Sequence, residues 1–251
     1  MKELLHGFYA LRVYLPLSGA SRRWRRFAQR VRGREARFLQ ATRLPEVSWT
    51  QFAQCRTPGI WEHQKENGNI RISELGVLSA LAGSCEDGSD LFEIGSFDGR
   101  TTLNLAMNSP ARCRVFTLDL PPELNTAFPL AKGERHMVEK PRPGLRYEKH
   151  RAAHPAAVGK IHQLLGDSAV FDFTPHARSC SLVFVDGSHA YDYAVSDTRA
   201  AMKMVKKGGL IVWHDYGVWE GVTKALEELD QREGFGFRNI RGTSLVCWRA
   251  R

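Results

Sequence analysis

From Ile70 onward, short apolar runs alternate with stretches in which apolar residues recur at helical spacing. The apolar runs predict buried strands in DLFEIG, RVFTLDL, KIHQLLGD, SLVFVDG and GGLIVWHDY, with two more near FRNI and SLVCWR. The intervening stretches predict helices, among them ISELGVLSALAG, RTTLNLAM, YDYAVSDTRAAMKMVK and GVTKALEELDQ. Because strands alternate with helices, we expect an α/β fold with a doubly wound, mostly parallel sheet of seven strands.

The N-terminal part of the chain has a different pattern. Residues 1–37 hold ten basic and two acidic residues, so ten minus two, or +8, of the net charge of +9 lies there. Apolar residues recur among the arginines at helical spacing, which predicts a basic amphipathic helix. These residues are Trp24, Phe27, Val31 and Phe38. We therefore expect a basic helical arm over residues 1–60 and a separate domain over residues 61–251.

Three roles for the arm stay open from sequence alone. Its apolar stripe can pack on the domain or on a second subunit, which would make a homo-oligomer. Alternatively, residues 1–40 can lie on an anionic membrane surface, or less favourably contact nucleic acid. The apolar part, residues 4–17, is interrupted by His6 and Arg12. It is shorter than the ~20 residues that span a bilayer, and it makes a poor signal peptide.

The cysteines bear on the compartment. There are five of them, an odd number, and no two form a CxxC pair. This pattern favours neither a disulfide framework nor a zinc ribbon, and reduced thiols are typical of cytosolic proteins. We expect a cytoplasmic protein, peripheral at the inner membrane face if the arm binds lipid.

A long insert separates the second and third predicted strands. Residues 121–159 contain six prolines and many charges, without clear periodicity. A connection of this length in a compact domain is usually functional or disordered. We interpret it as a substrate lid, with plain disorder as the alternative.

The turn after DLFEIG carries the first candidate chemistry. Gly95 and Gly99 lie where a strand gives way to a helix, as in nucleotide-binding folds. The dinucleotide pattern GxGxxG fails, since Phe97 takes the second glycine position, where a pyrophosphate would approach the backbone. A P-loop also fails, because no GKS or GKT follows. The turn therefore favours a nucleoside ligand without phosphates.

Acidic residues end the predicted strands. Parallel strands bring their carboxyl ends to one edge of the sheet, where ligands bind. Asp119 suits the two hydroxyls of a ribose, because one carboxylate can accept a hydrogen bond from each. An acidic edge also attracts a positive centre, so the ligand that fits is S-adenosylmethionine. The acids are Glu93, Asp119, Asp167 and Asp186.

The motifs FEIGSFDGRTT, VFTLDL, LLGDS and LVFVDGSHAYDY…GGLIVWHDY occur in the order that the class I S-adenosylmethionine-dependent methyltransferases show. From Ile70 to the end the chain resembles that family, and its DGSH…GG…HDY block resembles bacterial small-molecule and sugar O-methyltransferases. The resemblance implies a Rossmann-like methyltransferase fold. It implies that the methionine end of the cofactor is held by Glu93, Gly95, Ser96 and Gly99. It also implies that Asp119 holds the ribose and that Asp167 and Ser168 hold the adenine. Asp186 would lie beside the cofactor.

Methylation of a hydroxyl requires a base, a metal or both. Asp186 and Asp215 can share a divalent ion such as Mg²⁺, and the resemblance to metal-dependent O-methyltransferases implies the same pair. His214 adjoins the second acid, and as a third ligand it would shift preference toward Mn²⁺, Fe²⁺ or Zn²⁺. His189 is the predicted base, acting with Asp186. Stacking near adenine, capping a helix and binding metal remain alternatives for His189.

The sequence thus predicts transfer of a methyl group from S-adenosylmethionine to a hydroxyl of a small-molecule or glycan acceptor. One alternative is an inactive scaffold attached to a membrane or partner by its arm. Another is RNA methylation. It is disfavoured because the fourth strand ends in VDGSHAY, which lacks the (N/D)PPY type of motif.

Overall fold

The computed structural model describes residues 1–32, 41–66, 68–138 and 142–251. Phe38 and the side chain of Val31, both assigned to the stripe of the arm, lie outside this description. Residues 139–141 of the predicted lid also lie outside it.

Within the described residues, eight strands form one sheet in the order β1-β7-β8-β6-β5-β2-β3-β4. Strand β8 is antiparallel to both of its neighbours, and the other pairings are parallel. The strands are β1 Glu46–Val47, β2 Asp90–Ile94, β3 Arg114–Asp119, β4 Ile161–Leu165, β5 Cys180–Val185, β6 Val205–Trp213, β7 Arg238–Ile240 and β8 Val246–Arg249.

The predicted fold class is confirmed, but the predicted strand number is one too low. The additional strand is β1, which pairs with β7 over only two residues, Glu46 with Asn239 and Val47 with Ile240. Such a short edge strand leaves no apolar run in the sequence. The strand is defined only by its pairing with β7, which is distant in the chain.

Nine α-helices flank the sheet in the described residues. They are α1 Lys2–Tyr9, α2 Leu15–Arg32, α3 Ile72–Ala82, α4 Arg100–Asn108, α5 Arg135–Val138, α6 Leu145–Glu148, α7 Pro155–Val158, α8 Tyr191–Met204 and α9 Glu220–Glu233. The apolar core has a part on each face of the sheet. Helix α3 and the start of the arm cover one face, and helices α8 and α9 cover the other.

The arm begins as two helices joined by a turn of π-helix. This turn, Ala10–Tyr14, inserts one residue between α1 and α2. The inner side of the arm is made of small and apolar residues, among them Gly7, Ala10, Leu11 and Leu15, and it is buried. A Cβ at Gly7 would lie 1.7 Å from the carbonyl oxygen of Pro58, so the two backbones are in contact there.

Further along α2, the arm reaches the edge of the sheet through Arg22. The Arg22 guanidinium is buried, donates to the carbonyl oxygen of Thr243 over 3.0 Å and lies 3.4 Å from Glu74 Oε1. The described helices include none that is long and apolar enough to cross a membrane.

Candidate active site

The sheet register brings the predicted strand-end residues together. Ile94 is paired with Leu118 on one side and with Val185 on the other, and Val185 is paired with Trp213. The residues that follow these positions are Gly95, Asp119, Asp186 and His214. They lie side by side at the point where the strand order reverses between β2 and β5, which is where α/β sheets bind ligands.

A cavity of about 280 Å³ opens at this edge. Its walls include the turn after β2, the ends of β3, β5 and β6, and part of the predicted lid. Leu130, Met137 and Val138 of that segment form an apolar wall, while Lys65 and Arg71 supply basic groups. The segment over residues 121–138 therefore borders the site, although its action as a lid stays a prediction.

The glycine turn is tightly constrained. Gly95 has φ +98°, and a Cβ there would lie 2.1 Å from the carbonyl oxygen of Asp186. Phe97, in the place of the second glycine of the dinucleotide pattern, has φ +46° and donates its backbone N–H to Asp119 Oδ2 over 2.6 Å. Gly99, also left-handed, caps helix α4. The hydrogen bond from Phe97 thus joins the turn to the end of β3, where Asp119 lines the cavity.

Asp167 and Ser168 line the cavity beyond β4. The Asp167 carboxylate is buried and accepts hydrogen bonds from Ala127 N at 2.6 Å, Ala169 N at 2.9 Å and the Tyr193 hydroxyl at 2.7 Å. These bonds tie the insert to the sheet. An adenine contact for Asp167 and Ser168 stays a prediction, and the structure adds a positioning role for Asp167.

Glu93 lies behind the turn rather than in the cavity wall. Its carboxylate is buried, and Oε2 accepts hydrogen bonds from the hydroxyls of Thr102 and of Thr117, the latter at 2.6 Å. Thr117 bonds in turn to Ser96, at 2.5 Å. Burial raises the pKa of Glu93 to about 8, the two threonine hydroxyls opposing that rise only in part. Glu93 supports the glycine turn from below, and its predicted contact with the cofactor is untested.

The raised pKa of Glu93 predicts a pH dependence of stability. The folded state retains a proton between pH 4.5 and about 8 that the unfolded state has released, so the free energy of unfolding decreases as pH rises through that range. We expect Glu93→Gln to remove this contribution. Between pH 5 and pH 8 the free energy of unfolding should therefore decrease by more than ~2 kcal/mol further in the native protein than in the variant. Urea unfolding of both proteins at pH 5 and pH 8 measures it.

Glu123→Gln, at an exposed glutamate, is the matched control. It should keep the pH dependence of the native protein. An identical decrease in Glu93→Gln would mean that Glu93 is ionised in the folded state.

The ends of β5 and β6 hold a cluster of acids and histidines, which we call the His–Asp cluster: Asp186, His189, His214 and Asp215. His189 Nε2 lies 2.7 Å from Asp215 Oδ2, and the His189 ring stacks on Trp219 with centroids 4.3 Å apart. His214 Nδ1 lies 3.0 Å from Asp186 Oδ1 and 3.2 Å from Asp215 Oδ2. Asp215 adopts φ +64°, which turns its carboxylate between the two histidines.

Charge governs protonation in the His–Asp cluster. Burial alone would lower the pKa of His189, but the hydrogen bonds and charges of Asp215 and Glu134 outweigh it and raise that pKa to about 9. Burial likewise opposes a rise at His214, yet Asp215 and Asp186 hold its pKa well above the usual value. The pKa of Asp215 is lowered, because both histidines outweigh its burial. The carboxylates of the cluster thus favour the protonated form of both histidines.

Two further acids complete the cluster, and sequence reasoning missed both. Glu74, in the first turn of α3, is buried and lies 3.3 Å from His214 Nε2. It also accepts from Ser244 N at 2.8 Å and contacts Arg22. Glu134, from the predicted lid, lies 3.5 Å from His189 Nδ1. Neither follows a strand, and the one available signal was an acid in the first turn of a predicted helix.

The described residues offer one group that could hold a metal ion. One potential ligand atom from each of Asp186, His189 and Asp215 lies within 4.8 Å of the others. The sequence predicted His214 as the histidine ligand, and its Nδ1 lies beside the carboxylates of Asp186 and Asp215. Within the cluster, His189 Nδ1 and His214 Nδ1 are buried and lack a well-directed hydrogen bond. Either nitrogen is therefore available to a ligand. The choice of histidine stays a prediction.

Comparison with known proteins gives the following. A family model described as a methyltransferase domain matches residues 92–216. No curated protein matches the chain. The O-methyltransferase NovP is 16% identical with a TM-score of 0.54, over 72% of this chain and 80% of that one. The O-methyltransferase TomG from Streptomyces achromogenes, solved with S-adenosylmethionine, is 16% identical with a TM-score of 0.50, over 85% and 92%. A Corynebacterium glutamicum protein is 14% identical with a TM-score of 0.51, over 73% and 83%. At these identities the solved structures establish a shared fold.

Proposed function

We propose that this chain, a class I S-adenosylmethionine-dependent methyltransferase, methylates a hydroxyl group of a small-molecule or sugar-containing acceptor with the help of a divalent metal. The observation that carries the proposal is the His–Asp cluster, which lies at the cavity beside the glycine turn. A hydroxyl must lose its proton when it is methylated, and this cluster supplies carboxylates to accept it.

The cavity suits the cofactor in charge. S-adenosylmethionine supplies an activated methyl group on a cationic sulfur, and carboxylates of Asp119, Asp167, Asp186 and Asp215 line the cavity. Gly95 and Ser96 would hold the methionine end and Asp119 the ribose. A side chain at Gly95 would meet the carbonyl oxygen of Asp186, so the glycine lets the turn pack against the residues that follow β5.

The His–Asp cluster also suits a divalent ion. Carboxylate oxygens favour Mg²⁺, and a histidine ligand shifts the preference toward Mn²⁺. Asp186, Asp215 and one of the two histidines would hold the ion, and that histidine would give up its proton on binding it. A metal at these oxygens would lower the pKa of the acceptor hydroxyl.

The residues of the chain have distinct tasks in methyl transfer. Asp186 borders the cavity, and we assign it the role of the base that accepts the proton of the acceptor hydroxyl. His189 is held by Asp215 and by Trp219, which favour its protonated form, and in that form it would stabilise the negative charge that develops on the hydroxyl oxygen. Sequence reasoning gave His189 the role of base. Its raised pKa favours Asp186 for that role instead.

Cofactor binding tests the first part of the proposal. We expect the native protein to bind S-adenosylmethionine and S-adenosylhomocysteine in calorimetric titration. Asp119→Ala should weaken both by at least ~10-fold, because it removes charge-assisted hydrogen bonds to the ribose. Asp172→Ala, at an exposed aspartate outside the cavity, is the matched control and should bind like the native protein. No binding by the native protein would overturn the proposal and favour a scaffold role.

Acceptor screening then follows with sugars and small hydroxylated compounds. Attachment of the arm to a membrane is a separate proposal, since it depends on the surface of the arm rather than on the cavity.

A further inference from the structure

The outer side of the arm exposes an unusual amount of apolar surface. Of the fourteen large apolar side chains exposed in the described residues, ten lie in the first 27 residues. They are Met1, Leu4, Leu5, Phe8, Tyr9, Val13, Tyr14, Leu17, Trp24 and Phe27. We call this set the outer stripe. Single exposed apolar residues are common in soluble proteins, but a contiguous patch marks a binding surface.

The outer stripe is continuous along the arm. Leu4 and Phe8 are four residues apart, Phe8 and Val13 are five apart, and Val13 and Leu17 are again four apart. The interval of five falls across the π-helical turn, where hydrogen bonds join residues five apart. The extra residue therefore keeps the stripes of α1 and α2 on the same side. The opposite side is packed on the domain, so the outer stripe is the side left for a partner.

Basic side chains flank the outer stripe. Lys2, Arg12, Arg23 and Arg25 are exposed beside it, and Glu3 is the one acid among residues 1–32. Three of the stripe residues, Tyr9, Tyr14 and Trp24, carry the aromatic rings with polar tips that concentrate at membrane interfaces. Arginine next to such rings matches an anionic headgroup layer over an apolar interior.

We propose that the outer stripe binds the surface of an anionic lipid membrane, with the arm lying in the interface and the methyltransferase domain held against it. A second copy of the chain fits less well, because two arms of like charge repel each other. Nucleic acid also fits less well, because phosphate binding gives no role to an apolar stripe. The inference is independent of methyl transfer and its site.

Vesicle sedimentation with the full chain tests the inference. The native protein should sediment with vesicles of phosphatidylcholine and phosphatidylglycerol in equal parts, and much less with phosphatidylcholine alone. Arg23→Glu/Arg25→Glu should weaken binding by at least ~10-fold, since each basic residue near an anionic surface contributes substantially. Trp24→Asp/Phe27→Asp should weaken binding on both kinds of vesicle by at least ~10-fold, because it removes inserted apolar area.

Matched controls separate the arm from general changes in charge or polarity. Lys203→Glu/Lys207→Glu reverses two exposed charges outside the arm, and Leu165→Asp/Val170→Asp replaces two exposed apolar residues elsewhere. Both should bind vesicles like the native protein. A native circular dichroism spectrum and a cooperative urea transition for every variant show that the domain is folded, and both measurements are independent of lipid and of the cofactor.

Three results would overturn the inference. Absence of sedimentation with anionic vesicles is the first. Equal losses in arm and control variants are the second. The third is evidence of another partner in a protein that does not bind vesicles. That evidence would be a dimer that Trp24→Asp/Phe27→Asp converts to monomers, or salt-sensitive binding of a homopolymeric RNA.

Discussion

Replacing Asp215 by asparagine is expected to lower turnover by at least ~100-fold while changing the affinity for S-adenosylmethionine by less than ~3-fold. Asparagine tolerates the φ of +64° at this position, so the backbone should be retained. The variant loses the negative charge that lies 2.7 Å from His189 Nε2 and 3.2 Å from His214 Nδ1. It would also lose one of the proposed metal ligands. Steady-state kinetics and calorimetry on the same preparation separate turnover from binding.

Asp192→Asn is the matched control, since Asp192 is exposed in the first turn of α8 and faces away from the cavity. It should keep native turnover. A fully active Asp215→Asn enzyme would show that the chemistry takes place elsewhere. Chelation of the native protein answers the metal question separately: loss of turnover that Mn²⁺ or Mg²⁺ restores would support the metal, whereas full turnover in chelator would leave Asp186 as the proton acceptor without one.

Replacing Gly95 by alanine is expected to lower the free energy of unfolding by more than ~3 kcal/mol and to abolish cofactor binding. The new Cβ would lie 2.1 Å from the carbonyl oxygen of Asp186, and real Cβ contacts are not that short. Relief requires β2 and β5 to separate at the point where the cavity opens. Urea unfolding measures the stability, and calorimetry measures the binding.

Gly88→Ala isolates the contribution of backbone conformation. Gly88 also has a positive φ, +83°, but a Cβ there would have no atom within 4 Å. We expect Gly88→Ala to lower stability by only ~1 kcal/mol and to leave cofactor binding intact. Equal losses in the two variants would mean that conformation alone accounts for the effect, and that Asp186 is not closely packed against the turn.

The sequence predicted the parts of the site that depend on local signals. Gly95, Asp119 and Asp186 each follow an apolar run, and the parallel order of the strands brings such residues to one edge. The doubly wound fold predicted from these motifs is confirmed, and a family model described as a methyltransferase domain matches residues 92–216, in agreement with the predicted resemblance. Polar residues at strand ends can be identified from sequence because the apolar runs that form the strands can be identified.

The remaining features depend on contacts between distant parts of the chain. Glu74 meets His214 across 140 positions, and nothing near Glu74 in sequence marks it as part of a site. Glu93 looked like another strand-end acid, but its register opposite Thr117 and its complete burial set it behind the turn. Helical spacing predicted an amphipathic arm, yet it could not tell which side would pack on the domain.

The π-helical turn between α1 and α2 makes the arm sensitive to length rather than to composition. Arg12, Val13 and Tyr14 are exposed there, so substitutions that keep a basic or an apolar side chain in its place should be tolerated. Deleting one residue would restore a regular α-helix and rotate everything before it by ~100° relative to α2. Gly7 would then no longer meet Pro58, and Leu4 and Phe8 would leave the line of Leu17 and Trp24. Families of related chains should therefore vary in the exposed residues of this segment, within their basic or apolar character, while keeping its number of residues fixed.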